Sequence, residues 1–292
     1  MAVTTPRSTG LLAADLGTGP QSLLALQPPP VLVTALPTTP SGRARTEPVH
    51  AGPFTLRWQP LVAPAATAWL GQALRGERQL HDGQLLVGNL LDNSVRRALG
   101  FSGAALTGWR MATLDATDKQ AFWLELDAQP EHLQVLPAGG KLATPVKSRK
   151  ALLVSNFRVS GLPAGASAVM KLALAPGAVA APTARPDLRD PPGWAPAPPS
   201  VLSVQVGGRD VPALQAWADK LLATGQLAEA DSLNLTVDLL DSTLKTALLT
   251  LGFADCRLRR FDSGALTATT EGLPSVSLTL DVGQAQLTLP AG

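Results

Sequence analysis

The chain has 292 residues, of which 45% are hydrophobic and only 16% charged, and its formal net charge is +2. That length fits about two domains, and 26 glycines with 26 prolines stay below the share at which chains become low-complexity and unstructured. So weak a charge, with no basic run longer than two adjacent residues, argues against attraction to nucleic acid or membrane as the main task.

In chain order, the first clear element is a strand with Phe54, Leu56 and Trp58 on one face, the period of a half-buried strand. A helix follows, carrying Trp69, Leu70, Ala73 and Leu74 and stopping near Gly76. Phe122, Leu124 and Leu126, then Leu133 and Val135, predict a closing amphipathic hairpin. Strands recur at Leu202-Val204-Val206. A second helix is expected with Asp210 as N-cap, Pro212 in the first turn and Gly225 at its end. Its stripe is Leu214, Trp217, Ala218, Leu221 and Leu222. Leu233, Leu235, Val237 and Leu239 form the next strand, and Asp255 to Leu258 another, which makes Cys256 a buried thiol. Val276, Leu278, Leu280 and Val282 alternate with polar residues up to a predicted turn at Gly283. Ala285, Leu287 and Leu289 then complete an antiparallel hairpin.

The chain also matches itself. Val33–Pro37 resembles Val159–Pro163, Ala68–Leu74 resembles Ala216–Leu222, and Asn89–Arg96 resembles Asp238–Lys245. Leu99-Gly100-Phe101 recurs at Leu251-Gly252-Phe253, and Leu124–Asp127 at Leu278–Asp281. Leu-Pro-Ala-Gly ends both halves, at 136–139 and 289–292. Six matches in one order, at offsets of 126, 148, 149, 152, 154 and 153, indicate duplication. The expected organisation is an amino-terminal arm at 1–21, a first copy at 22–139, a linker at 140–149 and a second copy at 150–292. Within the second copy, residues 175–200 form a proline-rich loop, stiff and unfit for a central strand. The fold class implied is mainly β with one helix per repeat, a barrel or sandwich crossed by a helix.

This order of an early strand ending in a Gly-Leu-Pro-like turn, a helix with a central tryptophan, an aspartate turn between strands and a closing amphipathic hairpin resembles the tail-tube protein family of contractile phages and related injection systems. The resemblance is carried by Leu235 through Asp241 and Lys245 to Arg260 with Ser275 to Leu289. It is carried more loosely by Leu85 to Met111 and Phe122 to Leu136. It implies subunits whose sheets join into one inner barrel around a channel, with rings stacking into a tube. Tandem duplication departs from the single-copy pattern, so three chains would make a pseudo-sixfold ring, either within the tube or as an adaptor to a threefold spike. The implied partners are the chain itself, adjacent tube rings, and sheath, baseplate or spike proteins, with assembly in the cytoplasm before incorporation into a tail-like particle. A baseplate hub, or a monomeric two-module β-sandwich that binds glycans or protein, is the alternative.

Nothing in the sequence supports catalysis or a cofactor. His50, His81 and His132 lack metal-ligand spacing and are expected to be solvated or in loops. Asp187 and Asp190 read as loop ion pairs. No phosphate loop or nucleophile elbow is present. No 18 consecutive apolar residues occur, and Met1 to Thr18 lack the pattern of an export signal. A surface poor in charge is most simply covered by identical neighbours. The candidate inter-subunit contacts are Trp194, among prolines, and Leu278 and Leu280 on the closing strand, acting through β-augmentation.

Overall fold

The structure is a computed structural model. It describes residues 10–33, 49–142 apart from 78, 152–178, 200–263 apart from 227, 229 and 230, and 275–289. In the first half the strands are β1 (Gly10–Asp15), β2 (Pro20–Ser22), β3 (Ala25–Gln27), β4 (Val31–Val33), β5 (Val49–Ala51) and β6 (Phe54–Trp58). Helix α1 (Pro64–Leu74) leads to β7 (His81–Asn89), β8 (Val95–Met111), β9 (Leu114–Asp115), β10 (Leu124–Gln129) and β11 (His132–Leu136). The second half contains β12 (Phe157–Ser160), β13 (Val169–Leu174), β14 (Gly177–Ala178) and β15 (Ser200–Gly207). Helix α2 (Val211–Thr224) then precedes β16 (Leu233–Leu240), β17 (Ala247–Asp262) and β18 (Ser275–Thr288).

The protein is thus mainly β, with one α-helix in each half among the described residues. The first sheet runs β2-β1-β7-β8-β10-β6-β3, with β11 and β14 also on β8. The second runs β12-β16-β17-β18-β15-β13-β9. Two residues separate β2 from β3, and they tie the ends together: the Leu23 N–H donates to Leu12 and the Leu24 N–H to Arg57. The first sheet is therefore a nearly closed barrel. Setting aside β2, β9, β11 and β14, the two sheets have one connectivity: β1-β7-β8-β10-β6-β3 against β12-β16-β17-β18-β15-β13.

The alternating residues lie where their period puts them. Phe54, Leu56, Trp58, Leu124, Leu126, Leu202, Leu235, Val237, Leu278 and Leu280 are buried in one core that spans both halves. Each such aliphatic or aromatic side chain contributes about 1.5–3 kcal/mol on burial. Cys256 is a free, fully buried thiol on β17, and burial first, then Asp255, pushes its pKa up to about 11. The aspartate turns recur as expected. Asp92 accepts the Ser94 N–H at 2.9 Å and Asp241 the Thr243 N–H at 3.2 Å, with Asn93 and Leu244 at positive φ beside them.

Four expectations need correction. β18 is one continuous strand, not a hairpin turning at Gly283. Val282 faces Cys256 and Gln284 faces Ala254 on β17 in unbroken register, and the glycine instead lies opposite Asp255, where β17 bulges against β16. Asp255 sits at φ 51, and a Cβ on Gly283 would stand 3.0 Å from the Asp255 Cβ. The first half's closing hairpin is likewise absent: β10 and β11 both pair with successive stretches of β8, and the break between them falls at Pro130, which lacks a ladder donor. Asp210 does precede α2, yet its carboxylate makes no cap bond. It instead accepts the N–H groups of Ser167 and Ala168 at 2.6 and 2.7 Å, which lower its pKa and pin the loop before β13. Finally, Val33 and Val159 are not equivalent, because β4 pairs with β5 while β12 pairs with β16. Separately, Gly10–Asp15, within the stretch expected to be an arm, is paired to β7 inside the first sheet.

Candidate assembly interface

Among the described residues the halves meet at an Ala121–Leu153 bridge, with the Phe122 N–H donating to Leu152 and the Val154 N–H to Gln120, and through three further contacts, each made by an element of one half on the other. First, β9 of the first half pairs with β13 of the second, Leu114 facing Leu172. Second, β14 of the second half pairs with β8 of the first, Gly177 facing Trp109 and Ala178 facing Gly108. Trp109 is only 1% exposed. Glycine is needed at 177 because a Cβ would overlap the Trp109 indole nitrogen. Third, α1 packs on the end of β18. A Cβ built on buried Gly71 would lie 3.8 Å from Leu287 Cδ2, and Thr67, Gly71, Gln72 and Arg75 line a crevice there with Leu287 and Leu289.

These contacts explain why the two helices differ. Helix α1 buries Ala66, Thr67, Trp69, Leu70 and Gly71, with Thr67 Oγ1 accepting the Trp58 indole N–H at 2.9 Å. Helix α2 buries only Leu214 and Ala218, and Leu222 on its stripe is 81% exposed. A groove of about 410 Å³ opens beside it, lined by Ala218, Leu221, Leu222, Leu258 and Phe261 with Arg259 and Arg260 at the rim. Along this groove, residues Arg257–Asp262 of β17 pair with β18 on one side, and no described strand pairs with them on the other. The remaining exposed apolar residues include Val31 and Leu32 on β4, Val135 on β11, and Leu90, Leu91 and Leu244 at hairpin tips.

The outward face of β6, β10 and β8 carries an ion cluster. Arg57 donates to Glu125 at 2.7 Å and lies 4.2 Å over the Trp123 ring, while Arg110 pairs with both Glu125 and Asp127. Thr55 donates to Asp127 at 2.7 Å. The buried Glu125 carboxylate is shared by two guanidiniums, and these charge-assisted bonds brace three strands.

The expectation of solvated or loop histidines fails at His81. It opens β7, its ring lies tilted at 42° against Trp69 with centroids 4.7 Å apart, and burial lowers its pKa against the opposing effect of Asp82. His132 is exposed on β11. Among the described residues no group of three or more histidine, cysteine, aspartate or glutamate residues is placed to hold a metal, and no helix is long and apolar enough to cross a membrane.

Of the predicted contact residues, Trp194 lies outside the described residues, as do Asp187 and Asp190. Leu278 and Leu280 are fully buried, and their strand is paired on both sides, to β15 and to β17. Their ladder is made within the chain, so proline there disrupts the sheet itself. Gly177, Trp109 and Leu287, which join the halves, carry no motif. Their only sequence signal was the repeat, which aligns Leu251 with Leu99 and hence their partners Leu287 and Val135.

No protein-family model and no curated protein matches the chain. Its solved structural neighbours are components of contractile injection systems. A chain of the extended sheath–tube complex of the extracellular contractile injection system PVC is 14% identical, with TM-score 0.34, over 46% of this chain and 88% of that one. The tube-terminating cap of the anti-feeding prophage gives 11% identity and TM-score 0.39, over 49% and 95%. The six-fold symmetrised baseplate of the same particle gives 17% and 0.32, over 50% and 97%. Each of the three thus matches about half of this chain and most or nearly all of its own length.

Proposed function

We propose that this protein is a structural subunit of a phage tail-like contractile injection system, with two tube-like units in one chain, three chains closing a pseudo-sixfold ring around a channel. The observation that carries the reading is the junction between the halves. Two sheets of one connectivity are joined edge to edge by β14 on β8 and β9 on β13, the kind of main-chain addition by which a ring of such units would continue. The tube-like pattern of the sequence supports it, as does a surface so low in charge. Joining sheets between chains also removes edges that otherwise invite aggregation. The ring would be part of the inner tube or its end adaptor, working by self-assembly without catalysis or cofactor, beside adjacent tube rings, sheath, baseplate or spike proteins. The test is native mass together with negative-stain imaging of the same purified sample. Rings with a central hole at three chains, or a multiple of three, are expected; a lone 30.2 kDa particle at every concentration overturns the reading.

A further inference from the structure

Resting on the ring-subunit reading, the geometry points to one specific head-to-tail interface: the groove between α2 and the β17 edge receives the β4 and β11 face of a second copy of this chain. The junction inside the chain is the template. There the first half offers α1 and the carboxyl-terminal part of β8, and the second half offers the segment after β13 and the end of β18.

The ladder pairings say which residues take these roles next. Leu126 faces Trp109 and Leu280 faces Leu258, so Leu258 holds on β17 the place of Trp109, which β14 covers. Leu26 faces Leu56 and Leu174 faces Leu202. Counting three and four residues on, Pro29 and Pro30, just before β4, therefore hold the places of Gly177 and Ala178 of β14. Leu133 and Val135 face Phe101 and Leu99, while Ala285 and Leu287 face Phe253 and Leu251. Val135 is thus the register equivalent of Leu287.

The contrast is sharpest where the template is covered by the other half. Leu287 under α1 is 6% exposed, whereas Val135 is 78% exposed. On β4, Val31 is 69% and Leu32 49% exposed. On the facing surface are Leu222 at 81%, the groove of about 410 Å³ and the β17 edge without a described strand partner. Among the described residues one face therefore lacks a strand on its edge, and the other offers apolar side chains; because Pro29 and Pro30 have no N–H, the segment entering β4 fills the groove by side-chain contact and not by ladder bonds. The two surfaces differ, so the contact is heterologous, the type that closes rings when its rotation divides a full turn.

In the template Gly71 approaches Leu287, and the helix match sets Asp219 at the position of Gly71. The double variant Val135→Cys/Asp219→Cys should therefore form covalent oligomers under mild oxidation, while each single variant alone stays uncross-linked. Buried Cys256 does not compete. In parallel, Val135→Glu and Leu222→Glu should each abolish assembly, with unchanged circular dichroism. Self-cross-linking of a single variant, or rings that persist in both glutamate variants, overturns this interface while leaving the ring reading standing. Wild-type protein that never assembles removes both.

Discussion

Leu287 and Val135 sit at the same rung of equivalent ladders, yet one lies beneath a helix and the other faces water. The same contrast separates Trp69, 1% exposed, from half-buried Trp217. For Leu287 and Val135 the difference is whether an element of the other half lies on top; Trp69 in addition has the His81 ring of its own half against it. Burial at this rung is thus a property of the junction: the first half's helix meets the second half's strand, and among the described residues no strand end covers the second half's helix in the same way.

The sharpest way to break this comparison is to truncate both tryptophans. Trp69→Ala should cost about 3–5 kcal/mol in denaturant unfolding and Trp217→Ala clearly less; equal losses would mean that the helices are not differently covered. Next, Leu287→Ala should cost about 2–4 kcal/mol, against about 0.5 kcal/mol or less for Val135→Ala measured on the unassembled chain. Gly177→Val addresses the junction itself. Its side chain collides with Trp109, and about 1–3 kcal/mol of overpacking strain is expected, read as lost stability and as raised hydrogen exchange on β14 and β9 together.

The smallest effect is a pH dependence. The His81 pKa is lowered in the fold by burial, so the unfolded chain takes up its proton first as pH falls. Stability is full above the ordinary histidine value of 6.5 and declines as pH drops from there through the folded value. His81→Phe keeps a ring on Trp69 and should flatten that slope; an unchanged slope would assign it to another group.

Much of the architecture was legible. Period-two alternation marks one face of a strand whatever it packs against, so Phe54, Leu56 and Trp58 read directly as core, whereas the apolar face of Leu278 and Leu280, expected at a subunit contact, is filled inside the chain. Both helices showed in their stripes, and the repeat anticipated two sheets of one connectivity. Gly283 misled because a glycine needed for close approach in a bulge looks the same in sequence as one needed for a turn. Asp210 misled because a carboxylate in front of a helix can equally serve a neighbouring loop.

By itself, then, the sequence determined local conformation and which side of each element is apolar, since both follow from the spacing of side chains along a helix or strand. Only the tertiary structure decided what each apolar face meets. β9 and β14 are two residues long, too short for any period, and they pair through main-chain groups that every residue shares. The choice of partner was made by edge geometry and by the fit of Gly177 against Trp109 and Gly71 against Leu287, which depends on distances between segments far apart in the chain.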